Sequence, residues 1–250
     1  MKEQLENAMS WIKEQPIKGC ITGSALLEYF EGADLDVFVY DEKSFNKILF
    51  ACHHNPMFKI LDELENWKFH QYIDKEDKSQ NKFGLITIKF TYNTCVDVNI
   101  VFKKKASNIF AVLSSFDIDV ICKGYDIESG QYLDLTNGSV ESKITSWNKW
   151  NPTFSSSEIW DISRILRQLE RCFKYHRRGY NTDAVVHKYI ELTDNIEKYE
   201  SIFNSINFNE KLEDTKVNTA ILKEICLVWL DKHEVTVDEL KLLKETIIKL

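Results

Sequence analysis

Two aspartates one residue apart, Asp34 and Asp36, follow a Gly23-Ser24 pair with nine residues between. The stretch that holds them, CITGSALLEYFEGADLDVFVYD at positions 20–41, reads as strand, tight glycine turn, short helix, turn and strand. Side chains two apart on a strand leave the same face, so both carboxylates project together. The apolar run VFVY after them buries the strand. Two carboxylates side by side favour a hard divalent cation, since Mg²⁺ prefers oxygen ligands and takes one or two carboxylates plus substrate phosphates. Gly23 lets the backbone turn tightly or approach a ligand closely. Ser24 is expected to cap a helix starting at Ala25, whose free N–H groups make an anion site. A phosphate-binding turn and a metal-binding pair within one strand-helix-strand unit are the minimum equipment for phosphoryl or nucleotidyl transfer.

Further elements must position this unit. Residues 2–14 form an amphipathic helix that Pro16 stops. Asp41 is placed to cap a helix over residues 42–51, with Phe45, Ile48 and Leu49 facing inward. His53 and His54 end that helix. Adjacent histidines do not share a helix face, and a helix C-terminus favours such residues without any metal. Residues 67–73 alternate as a strand, and FGLITIKFTY at 83–92 is rich in β-branched and aromatic residues and reads as another. Asn93-Thr94 turns the chain into an antiparallel partner, CVDVNIVF at 95–102. On it, Asp97 lies between Val96 and Val98 and faces away from both, with Asn99 sharing its face. Residues 107–113 make a short helix, and FDIDVICKGY at 116–125 reads as a strand carrying a second pair, Asp117 and Asp119, with no glycine-serine turn before it. A hairpin turns at Ser129-Gly130 and the chain turns again at Asn137-Gly138.

Neither a Gly-Ser pair nor an Asp-x-Asp pair is informative alone. Spaced as Gly23-Ser24 and Asp34/Asp36 are, with apolar residues on either side, they resemble the signature of the nucleotidyltransferases of the DNA polymerase beta superfamily, over about residues 17–102. The resemblance implies an α/β (α+β) fold, a mixed-sheet core followed by an all-helical C-terminal domain. It implies two Mg²⁺ ions, or Mn²⁺ in their place, held by Asp34, Asp36 and a third carboxylate, and an NTP such as ATP whose outer phosphates sit on Gly23 and Ser24. The apolar-Asp-apolar setting carries the third-ligand role to Asp97, which can also assist deprotonation, and Asp117 or Asp119 is its rival. The products implied are a nucleotidylated acceptor and pyrophosphate. The acceptor implied is RNA, such as a tRNA-like end, or a protein hydroxyl, with an aminoglycoside-type small molecule as the alternative. A non-catalytic member that binds nucleotide or RNA is the alternative from another class, and the presence of all three carboxylates argues against it.

The second half reads as helical. Ser155, Ser156 and Ser157 can cap a helix running to Gly179. Ile162, Ile165, Leu166, Leu169 and Phe173 form its apolar face, and Arg164, Arg167, Arg171, Lys174 and Arg178 line the opposite side with Trp160. Acids at helical spacing are nearly absent from this stripe, and like charges there repel. It therefore wants a counter-charge: carboxylates of the first half, a nucleotide triphosphate or an RNA backbone. Arg164, Arg167, Arg171 and Lys174 are accordingly candidate nucleotide-binding residues. Apolar periodicity continues over 185–192, 221–230 and 240–250, and residues 183–250 hold fourteen acids against nine lysines and arginines.

The whole fits a catalytic core over residues 1–150 and a helical positioning domain over 151–250. The 250 residues carry a net charge of -7, with 44% hydrophobic and 28% charged. That balance disfavours non-specific coating of nucleic acid without excluding a local basic groove. Six scattered cysteines form no CxxC pair, which disfavours a zinc site and fits a reducing, cytoplasmic setting. No run approaches the roughly 20 apolar residues of a membrane span.

Overall fold

The computed structural model describes residues 1–27, 32–61, 85–103, 106–151, 171–194 and 226. The chain divides into two compact units, Met1–Phe116 with Ile121–Asn137, and Asp117–Val120 with Gly138–Leu250.

The first unit is a mixed α/β structure. Its strands are β1 (Gly19–Thr22), β2 (Leu35–Val39), β3 (Phe58–Ile60), β4 (Leu85–Tyr92), β5 (Val96–Lys103), β6 (Lys123–Asp126) and β7 (Tyr132–Asp134). They form one sheet in the order β3-β4-β5-β2-β1-β6-β7. β2 and β5 run parallel, and every other neighbouring pair is antiparallel. Helix α1 (Lys2–Lys13) buries Leu5, Ala8 and Ile12. Helix α2 (Glu42–His54) buries Phe45, Ile48, Leu49 and Cys52, and Asp41 caps it by accepting from the Ser44 N–H at 2.6 Å. Both helices pack in one core with Ile21, Leu35, Val37, Val39, Phe90, Val98 and Ile100. The opposite face carries a smaller cluster among the described residues. There the short helix α3 (Ile109–Leu113) brings Ile109, Ala111 and Val112 against Cys20, Phe38 and Tyr40.

The turn expected at Asn93-Thr94 is present, both residues having positive φ. The strand expected over 116–125 is shorter. Residues 119–121 form a 3₁₀ turn and only Lys123–Asp126 joins the sheet. The reason is that residues 117–120 bond elsewhere: Ile118 bridges Trp147, and the Asp119 N–H donates to the Ser146 carbonyl at 3.0 Å.

In the second unit the described residues are mainly helical. Residues 171–177 end at Gly179, whose φ of 83° few other residues adopt. Helix α4 (Ser139–Ser142) and helix α5 (Asp183–Asp194) also belong here. Cys172, Phe173, Tyr175, Tyr180, Val185 and Val186 are buried. The strand expected over 67–73, the Ser155–157 cap and the helices expected over 221–230, apart from Cys226, and 240–250 lie outside the described residues. Among the described residues no helix is long and apolar enough to cross a membrane.

All six cysteines are free, and only Cys95 is exposed. Burial pushes the Cys20 thiol up to about 12 and that of Cys226 to about 12, far from the thiolate form that reacts. Titration of the native protein with a thiol reagent at pH 8 is expected to modify one cysteine quickly and all six after denaturation. Cys95→Ser is expected to remove the fast phase, and a second fast thiol in that variant would contradict the burial described.

Candidate active site

At the end of β1 the chain turns through Gly23, with φ of 79°, into a 3₁₀ turn spanning Gly23–Leu26. The turn is four residues long and begins one residue before Ser24, so Thr22 takes the N-cap position and Ser24 does not cap. The Ser24 hydroxyl instead donates to Asp34 Oδ1 at 3.3 Å.

β2 buries Leu35, Val37 and Val39 against α1 and α2, which turns Asp36 to the opposite face. Its neighbours across the sheet are Thr22 on β1 and Asn99 on β5. The Asn99 side-chain amide donates to Asp36 Oδ1 at 2.8 Å and reaches Asp34 Oδ2 at 3.4 Å. One nitrogen thus touches both carboxylates. The Gly23 backbone lies close to Asp36: a Cβ added there would lie 2.7 Å from Asp36 Oδ2. Gly23, Ser24, Asp34, Asp36 and Asn99 therefore meet at one end of three adjacent strands.

Asp97 lies two residues before Asn99 on β5, exposed and on the same face, opposite Thr91 of β4. Among the described residues no three His, Cys, Asp or Glu side chains are grouped closely enough to hold a metal ion. The cluster the structure assembles is the two aspartates with Asn99. Its donors are carboxylate, amide and hydroxyl oxygens, with no imidazole or thiolate, which is the donor chemistry Mg²⁺ takes.

Asp117 and Asp119 belong to the second unit and have partners there. Asp119 accepts from Thr145 Oγ1 at 2.8 Å and the Ser146 N–H at 2.9 Å, and burial pushes its carboxyl above the usual range. Asp117 is 4% exposed and forms a short ion pair with Arg171. The Asp117 charge drives the Arg171 guanidinium still further toward its charged form. Lys174 is exposed, and the Arg178 guanidinium lies 5.3 Å from the Tyr175 ring. Arg164, Arg167 and Trp160 lie outside the described residues.

The sheet brings to this end two residues that strand-by-strand reading did not single out. Lys89 lies opposite Asn99, and Lys59 lies opposite Thr91. Alternation in FGLITIKFTY puts Thr87, Lys89 and Thr91 on one face. Which residues they stand beside depends on the β4–β5 register.

No protein-family model matches the chain, and no curated protein matches it. Among solved structures, it is similar to a Thermotoga maritima CCA-adding enzyme complexed with tRNA, at 13% identity and a TM-score of 0.45, over 94% of this chain and 52% of that one. It is also similar to a complex of a CCA-adding enzyme with CTP, at 14% identity and a TM-score of 0.40, over 94% of this chain and 57% of that one. The chain thus spans somewhat over half the length of the solved structures it matches. At this level of likeness nothing about its chemistry follows from them.

Gly23→Ala adds a side chain at a left-handed residue, at roughly 1–2 kcal/mol, and drives a methyl into the Asp36 carboxylate. Chemical denaturation is expected to show a loss of about that size. Arg171→Ala leaves Asp117 buried without its counter-charge. Because the Arg171 side chain is 41% exposed, the expected destabilisation is about 1–3 kcal/mol, below that of a fully buried pair. Adding Asp117→Asn to that variant is expected to restore part of it.

Proposed function

We propose that the chain is a metal-dependent nucleotidyltransferase that moves an NMP from an NTP to an acceptor hydroxyl on RNA and releases pyrophosphate. The observation that carries the reading is the Asn99 amide, 2.8 Å from Asp36 and 3.4 Å from Asp34. It holds two like-charged groups together at the mouth of a glycine-serine turn, an arrangement with little structural purpose and a clear chemical one.

In this reading Asp34 and Asp36 would hold two Mg²⁺ ions, or Mn²⁺, and Asp97, on the same face but outside their cluster, is the proposed third ligand. The metal supplies charge neutralisation at the α-phosphate and a lowered pKa for the acceptor hydroxyl. Gly23 and Ser24 receive the outer phosphates of the NTP. Asn99 keeps Asp34 and Asp36 in one orientation before the nucleotide arrives. Asp97, exposed on the same face, accepts the proton of the acceptor hydroxyl. That oxygen bonds to the α-phosphorus, the bond from it to the bridging oxygen of the β-phosphate breaks, and the electron pair leaves with pyrophosphate. Arg171 is paired with Asp117, and Arg164, Arg167 and Lys174 remain proposed nucleotide-binding residues.

The test is label transfer. The protein is incubated with Mg²⁺ and each α-labelled NTP in turn, with RNA in one reaction and cellular protein or an aminoglycoside in others. Label in RNA that falls about a thousandfold or more in Asp34→Ala/Asp36→Ala is expected, since the metal-held charge is worth several kcal/mol. Label in protein or in the small molecule would overturn the acceptor. No transfer from any NTP, with NTP binding unchanged in the double variant, would overturn the enzyme reading in favour of a binding protein.

A further inference from the structure

The face that carries Asp36 and Asn99 continues past β5. Register places Lys89 beside Asn99, Thr91 beside Asp97 and Lys59 beside Thr91. Two rows therefore cross the sheet, one running Asp36, Asn99, Lys89 and the other Asp97, Thr91, Lys59. Lys59 and Lys89 are both exposed. They are diagonal neighbours on adjacent strands, about 7–8 Å apart at the backbone. The register is firmly held, because the alternate residues Phe58, Ile88, Phe90 and Tyr92 are buried in the core on the other side. A slip of one residue would put the lysines into that core.

Among the described residues, charge changes sign across this face. Carboxylates stand over β2 and the start of β5, and ammonium groups stand over β4 and β3. Gly23 and Ser24 lie on the other flank, at the end of β1. In phosphoryl transfer the attacking and leaving oxygens lie roughly in line. If the leaving pyrophosphate sits over the β1 turn, the acceptor hydroxyl must come from the β5 side, across β4 and β3. Those two strands carry cations, and lysine binds phosphate as a point charge.

We propose that Lys89 and Lys59, with Thr91 between them, are the phosphate track of the acceptor. A single RNA strand crosses the face of β4 and β3 that carries Lys59 and Lys89 and presents its terminal hydroxyl at Asp97 and the Asp34–Asp36 pair. This rests on the reading above that an RNA hydroxyl is the acceptor. It also separates acceptors by charge, since the same lysines repel a polycationic small molecule.

The experiment measures binding of a fluorescent single-stranded RNA to the full chain by anisotropy over a range of KCl concentrations. The variants are Lys59→Ala/Lys89→Ala and, as a charge-matched control on α2 at the other face, Lys43→Ala/Lys47→Ala. Thermal stabilisation by Mg²⁺ with NTP is recorded for each protein in parallel. Loss of two phosphate contacts is expected to flatten the slope of log affinity against log salt by about 1.4 and to weaken binding roughly tenfold or more at 0.1 M salt. The control is expected to match the wild type, and stabilisation by NTP is expected to be the same in all three. RNA binding by Lys59→Ala/Lys89→Ala equal to that of the control overturns the track, as does a wild type that binds no RNA. Absent NTP stabilisation in the wild type overturns the transferase reading instead, and the anisotropy series still decides the track.

Discussion

The first unit depends on the alternation of β2. Leu35, Val37 and Val39 are fully buried against α1 and α2, and each such side chain contributes about 1.5–3 kcal/mol to folding. Their burial forces Asp36 out of the opposite face, with Asp34 beside it. Two carboxylates that share one donor nitrogen repel each other. The core outweighs that repulsion, so the fold can hold a like-charged pair that would otherwise spread apart. Asn99 gives both carboxylates one donor.

The turn after β1 completes the constraint from the other side. A glycine with positive φ lets the backbone approach Asp36 where any side chain would collide. Ser24, placed inside the turn, bonds Asp34 in place of capping a helix. The result is a site assembled from strand ends, with α1 and α2 supplying burial on one face and leaving the chemistry on the other. The same division gives that face its order, from the glycine turn through the aspartates to the lysines of β4 and β3.

The second unit shows the same accounting of charge. Part of the basic stripe read from the helix is satisfied internally, since Arg171 meets Asp117. The strand expected through residues 116–125 breaks because Ile118 and Asp119 find backbone partners at Trp147 and Ser146. A run of alternating residues has no way to signal that its hydrogen bonds will be made in another unit.

What the sequence by itself determined was local. The facing of Asp34 with Asp36 and of Asp97 with Asn99, the Asp41 cap, the Asn93-Thr94 turn and the buried faces of α2 and β5 all follow from periods of two and of 3.6 and from turn chemistry, which act between residues close along the chain. What only the tertiary structure decided was which strand lies beside which, and in what register. That is how Asn99 comes to bridge Asp34 and Asp36, how Lys89 and Lys59 come to extend their face, and how Asp117 and Asp119 come to be bound elsewhere. Strand order and register are settled by the packing of whole faces against helices, an energy summed over residues far apart in the chain, and no short window of sequence contains it.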